Sequence, residues 1–452
     1  MRGPLYDVCS FVSAFLSFRY DLFVAASSVA ESVDVAIVGA GAAGLATAIF
    51  AAQRLPGRSI VALDGAGKLG AKILVAGGGR CNVTNRVVTP GDYCGGSPNV
   101  IKRVLAAFTA EHAVEFFHRI GVSLHEEEHG KLFPDTNQAR TVLDALIREA
   151  DRCGAELRRG QRVIGVERCG DGFHVTTLTG AIAAKTVVLA AGGRSLPKTG
   201  SDGTGFELAA RLGHSLVPTT PALVPLVLDG DFHADLSGIA HDVELTVAAQ
   251  GRKPVRIRGA LLWTHFGVSG PAVLDASRHW HRAVLERREV RVGVNMLPGD
   301  DFTSAERKLI DLASSQPKVH LHNALATVLP ARVAEAVPDK LGIAGRIPMA
   351  HVTRDARRAL VHALLDWPLP VRDSRGYEFA EVTAGGVPLR EIGPASMASR
   401  VCPGLFLAGE ILDVDGRIGG FNFQWAWSSA WVAAAGIAGK LALPAGQPSK
   451  HP

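Results

Sequence analysis

What this 452-residue sequence has little of excludes several classes at once. Aromatic residues make up only 6%, and basic residues form no stripe interleaved with them, so the pattern of a nucleic-acid surface is missing. Net charge is +5, small for the length and with both signs interspersed; it suits anionic small ligands and gives no reason to expect nucleic acid. Six cysteines (Cys9, Cys81, Cys94, Cys153, Cys169, Cys402) contain no CxxC and no regular spacing. That excludes a dithiol redox motif or a thiolate zinc site, and fits free thiols in a reducing, cytoplasmic compartment. The HxH pairs His279/His281 and His320/His322 lack the further ligands a metal site needs, so no metal is assigned. No apolar window reaches the roughly 18 uncharged residues of a membrane span. In the first thirty residues Arg19 and Asp21 split two apolar runs, Cys9–Phe18 and Leu22–Ala30. Asp7, Arg19 and Asp21 do not suit a signal segment, whereas Arg2 and the small residues before Ala30 do; residues 1–32 are read as an extension, with a signal as the alternative. There are no internal repeats.

What is present begins at Val33. With 47% hydrophobic and 20% charged residues the chain is globular, and its length calls for two or three domains. Val33–Val38 is a short β-branched run that reads as a buried strand. It enters Gly39-Ala40-Gly41-Ala42-Ala43-Gly44, and an Ala/Leu-rich helical segment follows to about Arg54. A second apolar run ends at Asp64, twenty residues beyond Gly44. Gly39 permits the tight turn, Gly41 admits a pyrophosphate close to backbone N–H groups, and Gly44 lets helix and sheet pack closely. Asp64 is placed to accept from ribose hydroxyls. The full strand–GxGxxG–helix–acid unit predicts dinucleotide binding.

Further along, Gly77-Gly78-Gly79-Arg80-Cys81-Asn82-Val83-Thr84-Asn85 is too Gly-rich for a regular helix and pairs close backbone approach with Arg, Asn and Thr donors, a ligand-contacting loop. Asn99–Gly121 and Ala139–Gly154 are predicted helical. Leu124–Pro134 reads as a charged hairpin, and Arg162–Ala191 as a β-meander ending in a buried strand before Gly192 and Gly193. A third strand ends at Gly409-Glu410. Three apolar strands with glycine at their carboxyl ends predict a parallel sheet with a ligand along that edge. Between them the character changes. Strands are expected at 223–228, 242–248, 255–264, 289–295 and 377–383, a barrel or sandwich, and helices at 304–313, 322–337 and 352–365. Val217–Pro225 is a Pro-rich crossing linker. Near the end, Gly416-Arg-Ile-Gly-Gly-Phe-Asn-Phe-Gln424 opens a last helix from Trp425 to Lys440, a second glycine-preceded helix N-terminus that suits a long, two-ended cofactor such as FAD.

GAGAAG at Gly39, GGGRCNVTN at Gly77, AAGGRSLPKTGSDGTGFELA from Ala190, THFGVSGP at Thr264, TAGGV at Thr383 and GLFLAGEILDVDGRIGGFNFQWAWSSA from Gly404 occur in the order found in the BaiN/YhiN-like FAD-dependent flavoproteins, which the chain resembles from Val33 to Lys440. The resemblance implies an α/β fold: a three-layer Rossmann-like FAD-binding domain interrupted by a translation-factor-like β-barrel and a small helical domain. The expected divisions are extension 1–32, FAD domain 33–215, barrel 216–300, helical insert 301–367, a return strand of the barrel at 368–384, FAD domain again 385–445, and tail 446–452. It implies FAD contacts at Gly39, Gly41, Ala42, Ala43, Asp64, Lys72, Gly78, Arg80, Asn82, Thr84, Gly192, Gly193, Gly409, Glu410, Asp413, Gly420, Phe421, Asn422 and Gln424. Asp64 stands where such proteins commonly carry Glu, and Ala191 where many flavoproteins have Thr. For chemistry at the flavin, His265 is the candidate proton donor and Arg417 the candidate anchor for an anionic substrate. The expected activity is hydride transfer between FAD and a small organic substrate. NAD(P)H would be a transient donor, since only one full nucleotide-binding unit is present. An FAD-dependent oxidase of an amine or hydroxy compound, an RNA-associated flavoprotein and a non-catalytic flavin sensor stay open, as does the oligomeric state.

Overall fold

The computed structural model describes residues 31–442; the N-terminal extension, its signal alternative and the tail lie outside them. In chain order, the elements that position the site are strand β1 (Glu31–Val38), helix α1 (Ala42–Arg54), strands β2 (Ile60–Leu63), β3 (Glu156–Arg158) and β4 (Gly180–Leu189), helix α2 (Pro271–Leu285), strands β5 (Val382–Gly386) and β6 (Leu405–Leu407), and helix α3 (Phe421–Ala442).

β1 is buried along its last six residues because parallel neighbours flank it on both sides. Its register fixes the functional edge. Leu63 of β2 pairs with Val38, Val38 with Leu189 of β4, and Leu189 with Leu407 of β6. The next residues continue the ladder: Gly39 N–H donates to Leu63 at 2.8 Å, Ala190 N–H to Val38 at 2.9 Å, and Ala408 N–H to Leu189 at 3.1 Å. All four chain segments therefore leave the sheet at one level. Besides β1, β4 serves two further neighbours: its first half pairs antiparallel with Gly172–Thr177 of the meander, its second half parallel with β6. α3 packs along α1, with the rings of Phe50, Phe108, Phe116 and Trp431 meeting edge-on or tilted among the covering helices.

A second hydrophobic core, separate from that of the sheet, lies in residues 226–371. Its seven-stranded antiparallel sheet begins at Trp367–Leu369 and ends at Val371–Ser374, two strands separated only by Pro370. Helices at Phe302–Ser315, Leu321–Leu325, Ala331–Lys340 and Arg354–Leu365 accompany it.

Several sequence expectations are corrected. The crossing linker at Val217 is a strand, Val217–Ala222, paired antiparallel with β5; both passages of the chain lie side by side and satisfy each other's backbone groups. The expected strand at 377–383 starts only at Val382. Asn99–Gly121 is two helices, because Phe108 is extended and Thr109 caps the second by accepting from His112 N–H. The 322–337 segment breaks at Pro330. Ala71–Val75 makes a helical turn despite its glycine-rich surroundings, and the glycines act only at Ala76–Gly78, where the backbone leaves the helix.

The insert is fastened to the sheet domain through α2. Arg278 forms a bidentate pair with Asp415 (Nε–Oδ2 2.5 Å, Nη2–Oδ1 2.8 Å), and Asp415 is only 2% exposed. Asp415→Ala leaves a buried guanidinium unpaired, and we expect it to lower unfolding free energy by ~3–5 kcal/mol. Removing the carboxylate of the exposed Arg291–Asp366 pair should cost ~0–1 kcal/mol. Urea denaturation of the two variants side by side checks the contrast.

Candidate functional site

The first wall is the β1–α1 turn. Gly39 has φ +98° and lies against the Ala190 carbonyl, so a side chain there would be both strained and obstructed. Gly41 N-caps α1 without a side-chain hydrogen bond, and a Cβ at Gly41 would meet nothing within 4 Å. The space beside it is the main cavity, about 390 Å³, lined here by Gly39, Gly41, Ala42 and Ala43. The first N–H groups of α1 have no intrahelical acceptor and carry the positive end of the helix dipole. Asp64, at the end of β2, also lines the cavity; its carboxylate accepts from Ala40 N–H and Ala66 N–H, both at 2.8 Å.

Opposite strands supply a polar clamp. Lys72 Nζ donates to Glu410 Oε2 and to Ser195 Oγ, both at 2.5 Å. Glu410 Oε1 accepts from Ser195 Oγ at 2.8 Å and from Thr383 N–H at 2.9 Å. Thr383 Oγ1 in turn accepts from Arg194 N–H and Ser195 N–H. The loops after β4 and β6 and the start of β5 are thus bound together. Lys72, Glu410 and Gly192 line the cavity; Ser195 and Thr383 support it, and both lie inside motifs of the resemblance without being among its expected contacts. Arg80 and Asn82 line it from the glycine-rich loop. Arg80 pairs with Glu127 at 2.6 Å and lies over the Phe133 ring, while Asn82 Oδ1 accepts from Leu132 N–H.

The last wall is the approach to α3, where Arg417, Gly420 and Asn422 line the cavity. Asn422 closes a loop by accepting from Gly416 N–H (2.8 Å) and donating to the Gly416 carbonyl (2.9 Å). Arg417 Nε donates to Asp92 at 2.7 Å, and its guanidinium lies over the Phe421 ring.

Other sequence-derived candidates lie behind these walls rather than on them. Gly44 packs against the Gly39 carbonyl, Gly193 against Thr383, and Gly409 against Ala43. Gln424 is fully buried, accepting from Thr84 Oγ1 at 2.7 Å and donating to the Phe108 carbonyl at 2.8 Å, so it and Thr84 seat α3. Phe421 is buried against Tyr93, and Asp413 is tied by its backbone to Val387 and Gly96. Gly78 is outside the lining, which takes Gly77 instead. His265 is a correction. It sits exposed at the tip of the tight hairpin between strands Val255–Thr264 and Gly267–Ser269, edge-on to Phe266, and does not line the cavity. Cys81 is buried, and burial pushes its thiol up to about 12, which leaves it unreactive at neutral pH.

The fold also gathers a group that sequence reading missed. A small apolar cluster joins Ala222, Leu223, Val382 and Ala384 with Leu274 and Ile418. Three of its members are each followed or preceded by a charged residue: Val382 by Glu381, Leu274 by Asp275 and Ile418 by Arg417. Glu381, Arg417 and Lys131 line the cavity. Asp275 accepts from Ile418 N–H at 2.7 Å. Burial pushes Asp275 up to about 6, opposed by Arg417 and Lys131 and reinforced by Glu381. Burial also raises Glu381, opposed by Lys72 and Lys131. Glu381 is exposed and lines the cavity, with enough protein packed around it to disfavour the charged form. These residues come from segments more than a hundred positions apart, and no spacing rule links them.

A parallel-sheet edge with a glycine turn, a helix N-terminus and an acid closing the second strand defines a Rossmann-type dinucleotide-binding α/β protein. The chain belongs to the HI0933-like Rossmann family, whose model matches residues 33–436, in agreement with the BaiN/YhiN-like motif order. It is 35% identical over 404 residues to a ribosomal RNA dihydrouridine synthase of Escherichia coli (strain K12), covering 89% of this chain and 98% of that protein. It is 31% identical over 399 residues to a 3-dehydro-bile acid delta(4,6)-reductase of Clostridium scindens, covering 88% and 97%. Among solved structures it is similar to the open conformation of a flavocytochrome c3 fumarate reductase, at 18% identity and a TM-score of 0.45 over 98% of this chain and 83% of that one.

Asp275 makes a testable contribution to pH dependence. Its folded-state value lies above the ordinary 3.8, so the folded protein holds this proton more tightly than the unfolded chain. Stability from this group is full below 3.8 and is lost as pH rises through about 6. Asp275→Asn keeps an acceptor for Ile418 and does not titrate. Over that window wild type should lose on the order of 2 kcal/mol relative to the variant, read from urea midpoints at stepped pH.

Proposed function

We propose that this protein is an FAD-dependent reductase that saturates a carbon–carbon double bond conjugated to a carbonyl. The observation that carries the reading is one cavity reached by two helix N-termini, α1 behind Gly41 and α3 behind Gly420, with Asp64 at the end of β2. The open space beside Gly41 and the uncapped start of α1 fit a pyrophosphate, and Asp64 fits a ribose. Gly39, Ala42, Ala43, Lys72, Arg80, Asn82, Gly192, Glu410, Gly420 and Asn422 would hold the rest of FAD, with Gly44, Gly78, Thr84, Gly193, Gly409, Asp413, Phe421 and Gln424 shaping the walls. When bound, FAD supplies the hydride. The protein's own part is to exclude water and to set Lys131 and Arg417 where a carbonyl oxygen gains negative charge. The insert, read as a β-barrel with a helical domain over 216–384, would cover the substrate.

The two relatives share a chemistry. Dihydrouridine formation and removal of Δ4,6 unsaturation from a 3-oxo steroid both saturate an alkene conjugated with a carbonyl. That favours a reductase over an amine or alcohol oxidase. NAD(P)H would reduce FAD by transient binding at the same face. A uridine in RNA is the second substrate reading, prompted by the E. coli relative's name.

Stopped-flow mixing of the yellow protein with NADH and with NADPH should bleach the flavin with at least one of them. The reduced protein should then be reoxidised anaerobically by a uridine-containing oligoribonucleotide or by a 3-oxo-4,6-diene steroid. Reoxidation by oxygen alone, with turnover of an amine, would overturn the reductase reading. Gly41→Val should fold with wild-type urea stability, since its Cβ meets nothing, yet purify without flavin, a loss of at least 100-fold in FAD affinity by fluorescence quenching (~3 kcal/mol).

A further inference from the structure

We propose that Glu381 is the proton donor of the reduction, a role that rests on the FAD-dependent reading above. Its position is unusual among the acids of the site. Asp64 is held by two backbone N–H groups, Glu410 by Lys72, Ser195 and Thr383, and Asp275 by Ile418. Among the described residues the Glu381 carboxyl takes part in no hydrogen bond and no ion pair, although its own backbone is held. Its N–H donates to the Leu223 carbonyl (3.2 Å), and its carbonyl lies 3.3 Å from Ser195 Oγ, whose proton goes to the nearer Glu410. The side chain therefore leaves a rigid point, the junction of the chain's return from the insert with β5, and faces the cavity with its hydrogen-bonding capacity unspent.

Its neighbours decide its protonation. Behind it, Lys72 is already committed to Glu410. From the Lys131–Pro134 strand comes Lys131, from α2 comes Asp275, and from the loop before α3 comes Arg417, itself committed to Asp92. Desolvation dominates over the two lysines and holds the Glu381 carboxyl above the ordinary glutamate value. A carboxyl without a partner that lines a ligand cavity and holds its proton more tightly than an ordinary glutamate is equipped to donate.

The step balances as follows. The hydride pair that FAD would supply when bound forms the C–H bond at the β-carbon, and the alkene π pair it displaces passes as enolate charge to the carbonyl oxygen beside Lys131 and Arg417. The α-carbon then takes the Glu381 proton, closing the second C–H bond. The carboxylate left behind regains a proton from water once product leaves, and oxidised FAD is reduced again by NAD(P)H.

Two measurements test this. Infrared spectra of the protein at stepped pH should contain a protonated-carboxyl C=O band that persists above the ordinary glutamate range, moves on exchange into deuterium oxide and is absent from Glu381→Gln. An identical band in wild type and variant would overturn the proposal. Pre-reduced protein is then mixed with the uridine-containing oligoribonucleotide and with the 3-oxo-4,6-diene steroid. With whichever reoxidises wild type, Glu381→Gln should slow reoxidation by about 100-fold or more, and Glu381→Asp should recover part of it. Flavin content of each variant, from its absorbance, controls for folding. Equal reoxidation by wild type and Glu381→Gln refutes the proton donor while leaving the reductase intact. If neither probe reoxidises wild type, the reductase reading fails, and the donor role with it.

Discussion

Everything in the sheet domain depends on the register that brings Leu63, Val38, Leu189 and Leu407 to one level. Parallel strands hydrogen-bonded in this register must release their chains at the same edge, and the bonds that continue the ladder into Gly39, Ala190 and Ala408 hold the departing loops close together. A one-residue slip would turn each buried side chain to the opposite face and separate the loops. The turn glycines, the Lys72–Glu410–Ser195–Thr383 clamp and the starts of α1 and α3 all hang from that row. The cavity is what remains when these loops cannot fill the space between them.

Charge is handled in two ways around this edge. Charges that hold the architecture are neutralised within it: Lys72 with Glu410 in the wall, and Arg278 with Asp415 where the insert meets the sheet domain. Both pairs are reinforced by further contacts or bidentate geometry, which offsets the cost of removing ions from water. Glu381 and Asp275 are different. Burial raises both, so they add to the charge balance mainly at higher pH. Acids maintained in this condition make a poor contribution to stability, and their persistence beside a cavity fits use rather than support.

The insert explains why the site is composite. The chain leaves the sheet domain through Val217–Ala222 and returns through β5, and the pairing of these two passages gives the junction its rigidity. Residues on either side of the junction then meet across it. Leu274 and Asp275 arrive on a helix of the insert, Leu223 and Glu381 on the crossing itself, and Arg417 and Ile418 on the loop that opens α3. The glycine-turn end of the cavity is built by the sheet domain alone, whereas Glu381 stands where the chain returns from the second core.

That division matches what could be read from the chain alone. The strand–GAGAAG–helix–Asp64 unit, the buried strands ending in glycine, and the glycine-opened last helix are local. Each is dictated by backbone conformation or by apolar periodicity within some thirty residues, so the sequence by itself determined the Rossmann-type domain and the turn of Gly39, Gly41 and Asp64 at its edge. Local rules also misplaced some features. Val217–Pro225 carried proline and read as a linker because its strand partner lies at Val382, and the turn that carries His265, legible as a turn, lies away from the cavity. Only the tertiary structure decided which acids lack partners, because pairing and desolvation depend on what distant segments bring within a few ångströms. Glu381 and Asp275 are ordinary carboxylates in the chain and become distinctive solely where the two domains meet.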